Sequence, residues 1–312
     1  MLSRVADSLY WMSRYMERSD GIIRMLRVNY AFSQEDFKGF SWKPVLKMFT
    51  VLDDAPINSL TRNSRAVLQY LVSNRENRNS IINIITRARE NARSGQDHIT
   101  KELWQCLNEF YHSIKEEQLN SALLKEDPIT ILDGLTRQCV SYYGTADMTM
   151  IRGEGYSFIN IGKFLERAVQ VADILGVKFV DENEGISEDA GAEYWKHLLN
   201  SISGYELYLK TYRGGLEARN VIEQVILNGN FPRSIIYSIN RLHRYFERLR
   251  SERNTDGYNK LNFMIGELHS RVRYSTADSI MKQGLHAYLF RVKEDLYNIA
   301  NSLNQHYFAY SL

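Results

Sequence analysis

The chain has 312 residues, and its 39 basic and 37 acidic side chains leave a net charge of +2, which excludes the strong basic excess of a dedicated nucleic-acid-binding protein. Hydrophobic residues make up 44% of the chain and aromatic residues 12%, which excludes an intrinsically disordered protein and predicts a buried core. The N-terminus has no signal-peptide core, and no apolar run approaches the ~20 residues of a membrane helix, so we predict a cytoplasmic protein without membrane contact.

The first half of the chain has the three-and-four spacing of apolar residues that is typical of amphipathic helices. The helices predicted from this spacing cover residues 2–30, 42–52, 59–73 and 79–94. Thr100 is predicted to be the N-cap of another helix. Asp127, followed by Pro128, predicts the start of a helix that runs toward residue 150.

The second half continues in the same way. An acidic segment over residues 181–189 is the best candidate for a linker. The predicted helices cover residues 154–180, 190–211, 216–228, 232–252, 258–274 and 276–309. Because no segment alternates apolar and polar residues as a half-buried strand does, we predict an all-α multi-helix bundle that forms a single domain over residues 1–312.

A short phrase occurs three times within these helices. It reads RYMER at residues 14–18, KFLER at 163–167 and RYFER at 244–248. The first two copies lie 149 residues apart, close to half the chain length. This spacing predicts an internal duplication with related halves over approximately 1–150 and 151–312.

The glutamate of the phrase has two interpretations. Neighbouring residues on a helix do not face each other, so Glu17 and Arg18 need partners elsewhere. In the structural interpretation these charges join helices or face solvent. In the functional interpretation Glu17 and Glu166 meet near a pseudo-twofold axis, beside Arg18 and Arg167, and form a paired-carboxylate site. Glu247 of the third copy is predicted to lie on an exposed face.

Further candidates for binding an anion or a partner come from three segments. The segment RARENAR contains Arg87, Glu90 and Arg93, and two of its arginines share a helix face, which suits either the helix dipole or a bound phosphate or carboxylate. Arg152 and Glu154 belong to a glycine-containing connection, where functional side chains are frequent. Pro232 is predicted to start a helix, which would place the cation of Arg233 in an unfavourable first turn unless it meets an anion.

No recognisable catalytic, cofactor or metal motif is present. The chain lacks a phosphate-binding loop and a glycine-rich nucleotide fingerprint. Its histidines never have the helical spacing of a zinc protease, and a Glu-x-x-His match at Glu109 occurs only once, whereas a di-iron bundle needs two. We therefore predict no cofactor and no metal and assign no catalytic residue. Cys106 and Cys139 are predicted to be reduced core thiols.

Four ordered motifs resemble the bacterial alpha-E domain family. They are LYWMSRYMER at residues 9–18, RARENAR at 87–93 followed by ELW at 102–104, INIGKFLERA at 159–168, and FPRS at 231–234. The resemblance covers residues 1 to at least 240. One departure is Val169, which stands where the family usually has an acid after Glu-Arg-Ala, whereas the first copy keeps Asp20.

The resemblance implies an all-helical domain that works beside, or fused to, a circularly permuted ATP-grasp ligase, often with a transglutaminase-like protein. It supplies no reaction for the domain itself. Our leading hypothesis is a non-catalytic partner that binds the ligase, or an anionic peptide or acyl intermediate, through Arg and Glu side chains. The first alternative is an enzyme that acts on amide or peptide bonds through Glu17 and Glu166. The second is a pure structural scaffold.

Overall fold

The fold was described from a computed structural model, which covers residues 1–35, 40–179, 192–250 and 255–308. Its regular structure is helical, and no strand occurs within these ranges, which confirms the all-α prediction. None of the helices in the described ranges combines the length and the apolar composition that crossing a membrane requires. The acidic linker candidate at residues 181–189 lies outside the described residues.

Helices follow one another along the first 150 residues. Their bounds are α1 Ser3–Ser33, α2 Lys43–Phe49, α3 Asp54–Leu60, α4 Ser64–Val72, α5 Ile81–Ser94, α6 Lys101–Ser113, α7 Glu116–Lys125 and α8 Pro128–Thr149. A short 3-10 turn, Gln96–His98, connects α5 to α6. The later helices are α9 Glu154–Phe179, α10 Ala192–Ser201, α11 Tyr205–Thr211, α12 Ala218–Ile222, α13 Ile235–Glu247, α14 Thr255–Arg273, α15 Ala277–Gln283 and α16 Leu285–Leu303. Two π-helical segments, Glu223–Leu227 and Asn304–Phe308, follow α12 and α16.

The chain divides into two compact units. The first unit is Tyr15–Met150, and the second unit combines Met1–Arg14 with Ile151–Leu312. Helix α1 therefore contributes its first residues to the second unit and the remainder to the first. The predicted internal duplication stays a prediction.

In the first unit, α6 packs between α5 and α8, and α4 packs on α7. The helix starts follow the local capping signals. The Thr100 hydroxyl accepts a hydrogen bond of 3.2 Å from the backbone N–H of Leu103. The Asp127 carboxylate accepts 3.2 Å and 3.1 Å bonds from the backbone N–H groups of Ile129 and Thr130. Both predicted starts are thus confirmed, because each side chain satisfies amides that have no partner inside the helix.

In the second unit, α9 is the central helix and packs against α13 and α16. It also approaches the start of α1 at Gly162. A Cβ atom on Gly162 would stand 2.4 Å from the carbonyl oxygen of Tyr10, so only glycine allows this spacing. Buried apolar side chains such as Leu165 and Leu175 fill the interior around α9.

Several predicted helices are interrupted. The segment predicted as one helix over 190–211 is broken at Ser203, whose φ is +55°, and the one over 276–309 is broken at Gly284, whose φ is +91°. An α-helix requires negative φ, so both residues end the preceding helix. Helix α7 was not predicted, because only two buried leucines, Leu119 and Leu123, mark its inner face.

The prediction that Pro232 starts a helix is wrong. Pro232 and Arg233 lie in a turn, and α13 begins at Ile235 after the N-cap Ser234. The Ser234 hydroxyl accepts a 3.0 Å hydrogen bond from the backbone N–H of Tyr237 and so fixes the helix start after the proline. The cation of Arg233 therefore does not occupy the first turn of a helix.

Candidate functional site

Glu17 lies fully buried in the first unit, where α1 packs against α8. The hydroxyl of Tyr143 donates a hydrogen bond of 2.6 Å to its carboxylate. One turn later, Asp20 is also fully buried, and the Arg24 Nε donates to its two oxygens at 2.9 Å and 3.0 Å. Both carboxylates are therefore held by hydrogen bonds inside the unit, as buried charges require.

Cys139 completes this buried cluster. Its sulfur lies 3.6 Å from the hydroxyl of Ser19, which itself donates to the carbonyl of Met16. Burial, and then the negative charge of Asp20, raise the pKa of the Cys139 thiol well above its ordinary value. The thiol thus stays protonated at neutral pH and is a poor nucleophile.

We expect both cysteine thiols to resist Ellman's reagent in the folded chain. Cys106 and Cys139 are free and buried, as predicted, so the reagent reaches neither without an opening of the structure. Colour development in mildly alkaline buffer should be slow, and it should become rapid and reach both thiols in concentrated urea. A rapid reaction of either thiol before unfolding would contradict this arrangement.

The second copy of the phrase has a different pairing. The Arg14 Nε donates a hydrogen bond of 2.7 Å to Glu166, which is 2% exposed, and an Arg14 Nη donates at 3.2 Å to the hydroxyl of Tyr10. The guanidinium also lies 4.6 Å from the centre of the Trp11 ring. Burial alone would lower the pKa of Arg14, but the Glu166 carboxylate outweighs it and holds the pKa above its ordinary value.

All three copies share one local contact. The arginine that ends each phrase lies over the aromatic ring three residues earlier, at 5.8 Å for Arg18, 5.2 Å for Arg167 and 5.4 Å for Arg248. Residues three apart are neighbours on a helix, so an aromatic residue and an arginine at this spacing come into contact within their own helix. The three copies therefore share this local geometry.

The glutamates of the three copies differ in burial. Glu247 is exposed, with the ring of His243 at 3.9 Å, which confirms the prediction for the third copy. Glu17 and Glu166 are buried. They belong to different units, and the convergence of these two carboxylates in one site stays a prediction.

The first two copies also diverge one turn after the glutamate. Asp20 corresponds to Val169, a buried apolar residue, and Arg24 corresponds to Asp173. Asp173 accepts a hydrogen bond of 2.8 Å from the Nζ of Lys293. The Asp20–Arg24 ion pair of α1 therefore has no counterpart in α9, because Asp173 pairs with Lys293 of α16 instead.

The RARENAR segment on α5 places two arginines in contact with aromatic rings. Arg87 is half-buried, and its guanidinium lies 6.0 Å from the centre of the Tyr15 ring, which Arg18 also approaches. Arg89 lies 4.6 Å from the Tyr111 ring centre and donates at 2.8 Å to Asn108. The structure thus brings the predicted site residues Arg18 and Arg87 together at one tyrosine.

The other predicted site residues are exposed or half-buried, with the exception of Arg167. Glu90 is exposed and forms ion pairs with Arg89 at 2.9 Å and Arg93 at 3.8 Å. Arg152 is exposed and lies 4.1 Å from the ring centre of Tyr156. Glu154 begins α9, and its carboxylate accepts a hydrogen bond of 2.8 Å from the ammonium group of Met1. Arg167 is buried, and its Nη1 donates at 3.1 Å to the carbonyl of Pro232, next to half-buried Arg233.

Some partners of the motif glutamates were not predicted from the sequence. Tyr143, which donates to Glu17, carries no local signal, because nothing in its own segment of α8 distinguishes it. Arg14 did carry one, since it is the first letter of the repeated phrase. Within the described ranges, no group of three or more His, Cys, Asp and Glu side chains has the arrangement of a metal site.

Comparison with known proteins identifies relatives of this chain. Uncharacterized proteins of Mycobacterium bovis and Mycobacterium tuberculosis are 21% identical to it over 296 residues. These alignments cover 89% of this chain but 33% of each relative, so the chain spans about a third of their length. No solved structure matches the chain.

A family model also matches nearly the whole chain. It is described as a predicted alpha-helical domain with a conserved ER motif, and the match covers residues 1–308. The Glu-Arg pairs at Glu17 and Glu166 correspond to such a motif, and both glutamates lie buried inside a helical fold. The chain therefore belongs to the Alpha-E family.

Proposed function

We propose that this chain is a non-catalytic helical module of an ATP-grasp-type amide ligase system. In this proposal it binds the ligase, or an anionic peptide or acyl phosphate that the ligase handles, through arginine and glutamate side chains. A transglutaminase-like protein is a second proposed partner. The resemblance to the family motivates the choice of partner, and the neighbouring cations of Arg18 and Arg87 support an anionic ligand.

The observation that carries the proposal is the pair formed by Arg18 and Arg87. Their guanidinium groups approach the same Tyr15 ring from two helices, at 5.8 Å and 6.0 Å from its centre. Arg87 is half-buried, and within the described residues no carboxylate lies at ion-pair distance from it. A partly desolvated cation without a counter-charge is stabilised when it meets a phosphate or carboxylate.

The environment of the motif glutamates favours a binding module over an enzyme. Glu17 and Glu166 are at most 2% exposed, and each accepts a short hydrogen bond from another helix of its own unit. A general acid or base must reach the proton that it transfers, which a buried and hydrogen-bonded carboxylate does poorly. These contacts support a structural role for the two glutamates.

The relatives supply a second line of support. Each is about three times as long as the stretch that matches this chain, so a domain like this one occurs there within a larger protein. A module that acts on a partner is often found joined to other domains, because a linker raises the effective concentration of the two.

The arginine pair can be tested with the ATP-grasp ligase encoded in the same genome. We expect Arg87→Ala to weaken ligase binding about tenfold, because a charge-assisted hydrogen bond contributes about 1.5–3 kcal/mol and ~1.4 kcal/mol corresponds to a factor of ten. Biolayer interferometry with the immobilised ligase measures the dissociation constant. Arg62→Ala, which removes an exposed arginine of the same unit, is the matched control and should leave binding unchanged.

Equal weakening by both variants would indicate a general charge effect and would contradict a specific role for Arg87. Unchanged binding by Arg87→Ala would place the ligase contact elsewhere on the chain. Circular dichroism of each variant verifies that its helices are intact, so that weaker binding cannot be attributed to unfolding.

A further inference from the structure

A row of three arginines lies along α13 in the second unit. Arg241 and Arg244 belong to this helix, and Arg248 directly follows its last residue. The three are separated by three and four positions, so they share one side of the helix. Arg244 and Arg248 are exposed, Arg241 is half-buried, and the first two are also the first and last letters of the RYFER phrase. These three residues form the α13 arginine row.

Aromatic rings hold both ends of the α13 arginine row. The guanidinium of Arg241 lies 5.0 Å from the centre of the Tyr237 ring, and that of Arg248 lies 5.4 Å from the centre of the Tyr245 ring. Both tyrosine rings contact the buried ring of Phe164 on α9, with 6.1 Å between ring centres in each case. Two of the three cations are therefore held in position in the free chain, which reduces the side-chain entropy lost when a ligand binds.

The α13 arginine row has no counter-charge of its own. Within the ranges that the structure describes, no carboxylate lies at ion-pair distance from any of its three guanidinium groups. The single acidic residue of α13 is Glu247, whose carboxylate has the ring of His243 at 3.9 Å. Like charges at helical spacing repel one another, and anions that pair with them relieve this repulsion. The row therefore suits a ligand that carries several negative charges in line.

We propose that the α13 arginine row binds an acidic peptide segment of a partner protein. Side chains three and four positions apart on a helix are separated by about 5–6 Å. A segment whose carboxylates recur at the same spacing can pair each carboxylate with one guanidinium, whose fork of N–H donors matches a carboxylate. This inference goes beyond the proposed function, because the row lies in the second unit and includes neither Arg18 nor Arg87.

A single-stranded nucleic acid is the competing ligand class. Proteins that bind such strands combine a basic groove with aromatic faces on which the bases stack. Here guanidinium groups lie over the rings of Tyr237 and Tyr245, and both tyrosines are half-buried, which leaves little ring surface for a base. Three cations also displace few phosphate counterions, whereas nucleic-acid affinity depends on many such contacts. The acidic peptide is therefore the better complement of this row.

The test is a fluorescence anisotropy titration of a labelled peptide, Ala-Glu-Ala-Ala-Glu-Ala-Ala-Ala-Glu-Ala, with the full-length chain. The glutamates of this peptide have the same three-and-four spacing as the arginine row. We expect saturable binding that weakens as salt is added, and binding at least about tenfold weaker when glutamine replaces each glutamate of the peptide.

Arg244→Ala should weaken binding of the acidic peptide about tenfold, since it removes one charge-assisted hydrogen bond. In the part of the chain that the structure describes, Arg244 forms no hydrogen bond, ion pair or ring contact, so this variant is expected to fold normally. Arg291→Ala removes an exposed arginine from α16 of the same unit, and this matched control should leave the affinity unchanged.

The proposal is overturned if the peptide does not bind at near-millimolar concentrations of the chain, or if Arg244→Ala binds it as well as the original chain. Equal weakening by Arg244→Ala and Arg291→Ala would also overturn it, because the effect would then be one of general charge. Weakening by Arg87→Ala but not by Arg244→Ala would place the peptide in the first unit, against the proposal. Tighter binding of a labelled oligothymidine than of the peptide, with loss of affinity in Arg244→Ala, would assign the row to nucleic acid instead.

Discussion

Replacing Glu166 with alanine is expected to lower the free energy of unfolding by about 3–5 kcal/mol, the usual effect of removing one partner of a buried ion pair. Arg14 would be left 7% exposed, charged and without the carboxylate that accepts its 2.7 Å hydrogen bond. A guanidinium is too weak an acid to lose its proton at neutral pH, so the charge of Arg14 would remain buried in the variant. Urea titration followed by circular dichroism measures the change.

The third copy of the phrase provides a matched control for this experiment. Glu247 occupies the same position of the phrase but is exposed, so Glu247→Ala should change the free energy of unfolding by less than about 0.5 kcal/mol. Replacing Arg14 and Glu166 together with methionine and leucine should restore most of the lost stability, because no buried charge remains. A loss below about 1 kcal/mol for Glu166→Ala would contradict the structural role of this pair.

Gly162→Ala is expected to destabilise the second unit by about 1–3 kcal/mol, the usual range for overpacking. The new Cβ would lie 2.4 Å from the carbonyl oxygen and 3.2 Å from the carbonyl carbon of Tyr10. These are backbone atoms of α1, so relief requires a shift of the whole helix rather than of a flexible side chain. The strain exceeds the ~1 kcal/mol that alanine gains over glycine in a helix.

Gly176 lies in the same helix and is the natural control. A Cβ there would meet the Leu289 Cδ1 at 3.9 Å, an ordinary contact, so Gly176→Ala should stabilise the chain by up to about 1 kcal/mol. Thermal unfolding of the two variants should therefore show opposite shifts of Tm. A rise of Tm with Gly162→Ala would show that α1 and α9 do not approach as closely as described.

Much of the fold was predictable from the sequence because its signals are local. Thr100 and Asp127 cap helices through amides two or three residues away, so neighbouring letters are enough to place those starts. The helix breaks at Ser203 and Gly284 were missed because a positive φ is set by the path of the chain, not by the apolar spacing. The start of α13 was wrongly predicted at Pro232, because the side chain of Ser234, two residues later, caps the helix.

The candidate site was less predictable because its contacts are distant in sequence. Glu17 receives its hydrogen bond from Tyr143, 126 residues later, and Glu166 pairs with Arg14, 152 residues earlier. Periodicity indicates which face of a helix is buried but not which helix covers it. The repeated phrase therefore indicated that these glutamates matter, whereas the contact of each with another helix of its own unit was not predictable from the phrase.

The proposed function is tested most directly by the molar mass of the species that forms when this chain is mixed with an ATP-grasp ligase, its proposed partner. Light scattering during size-exclusion chromatography should show a complex whose mass is the sum of the two proteins, which dissociates as salt screens the charged contacts. Separate elution of the two proteins at micromolar concentration, with ligase turnover unchanged on adding this chain, would contradict the account.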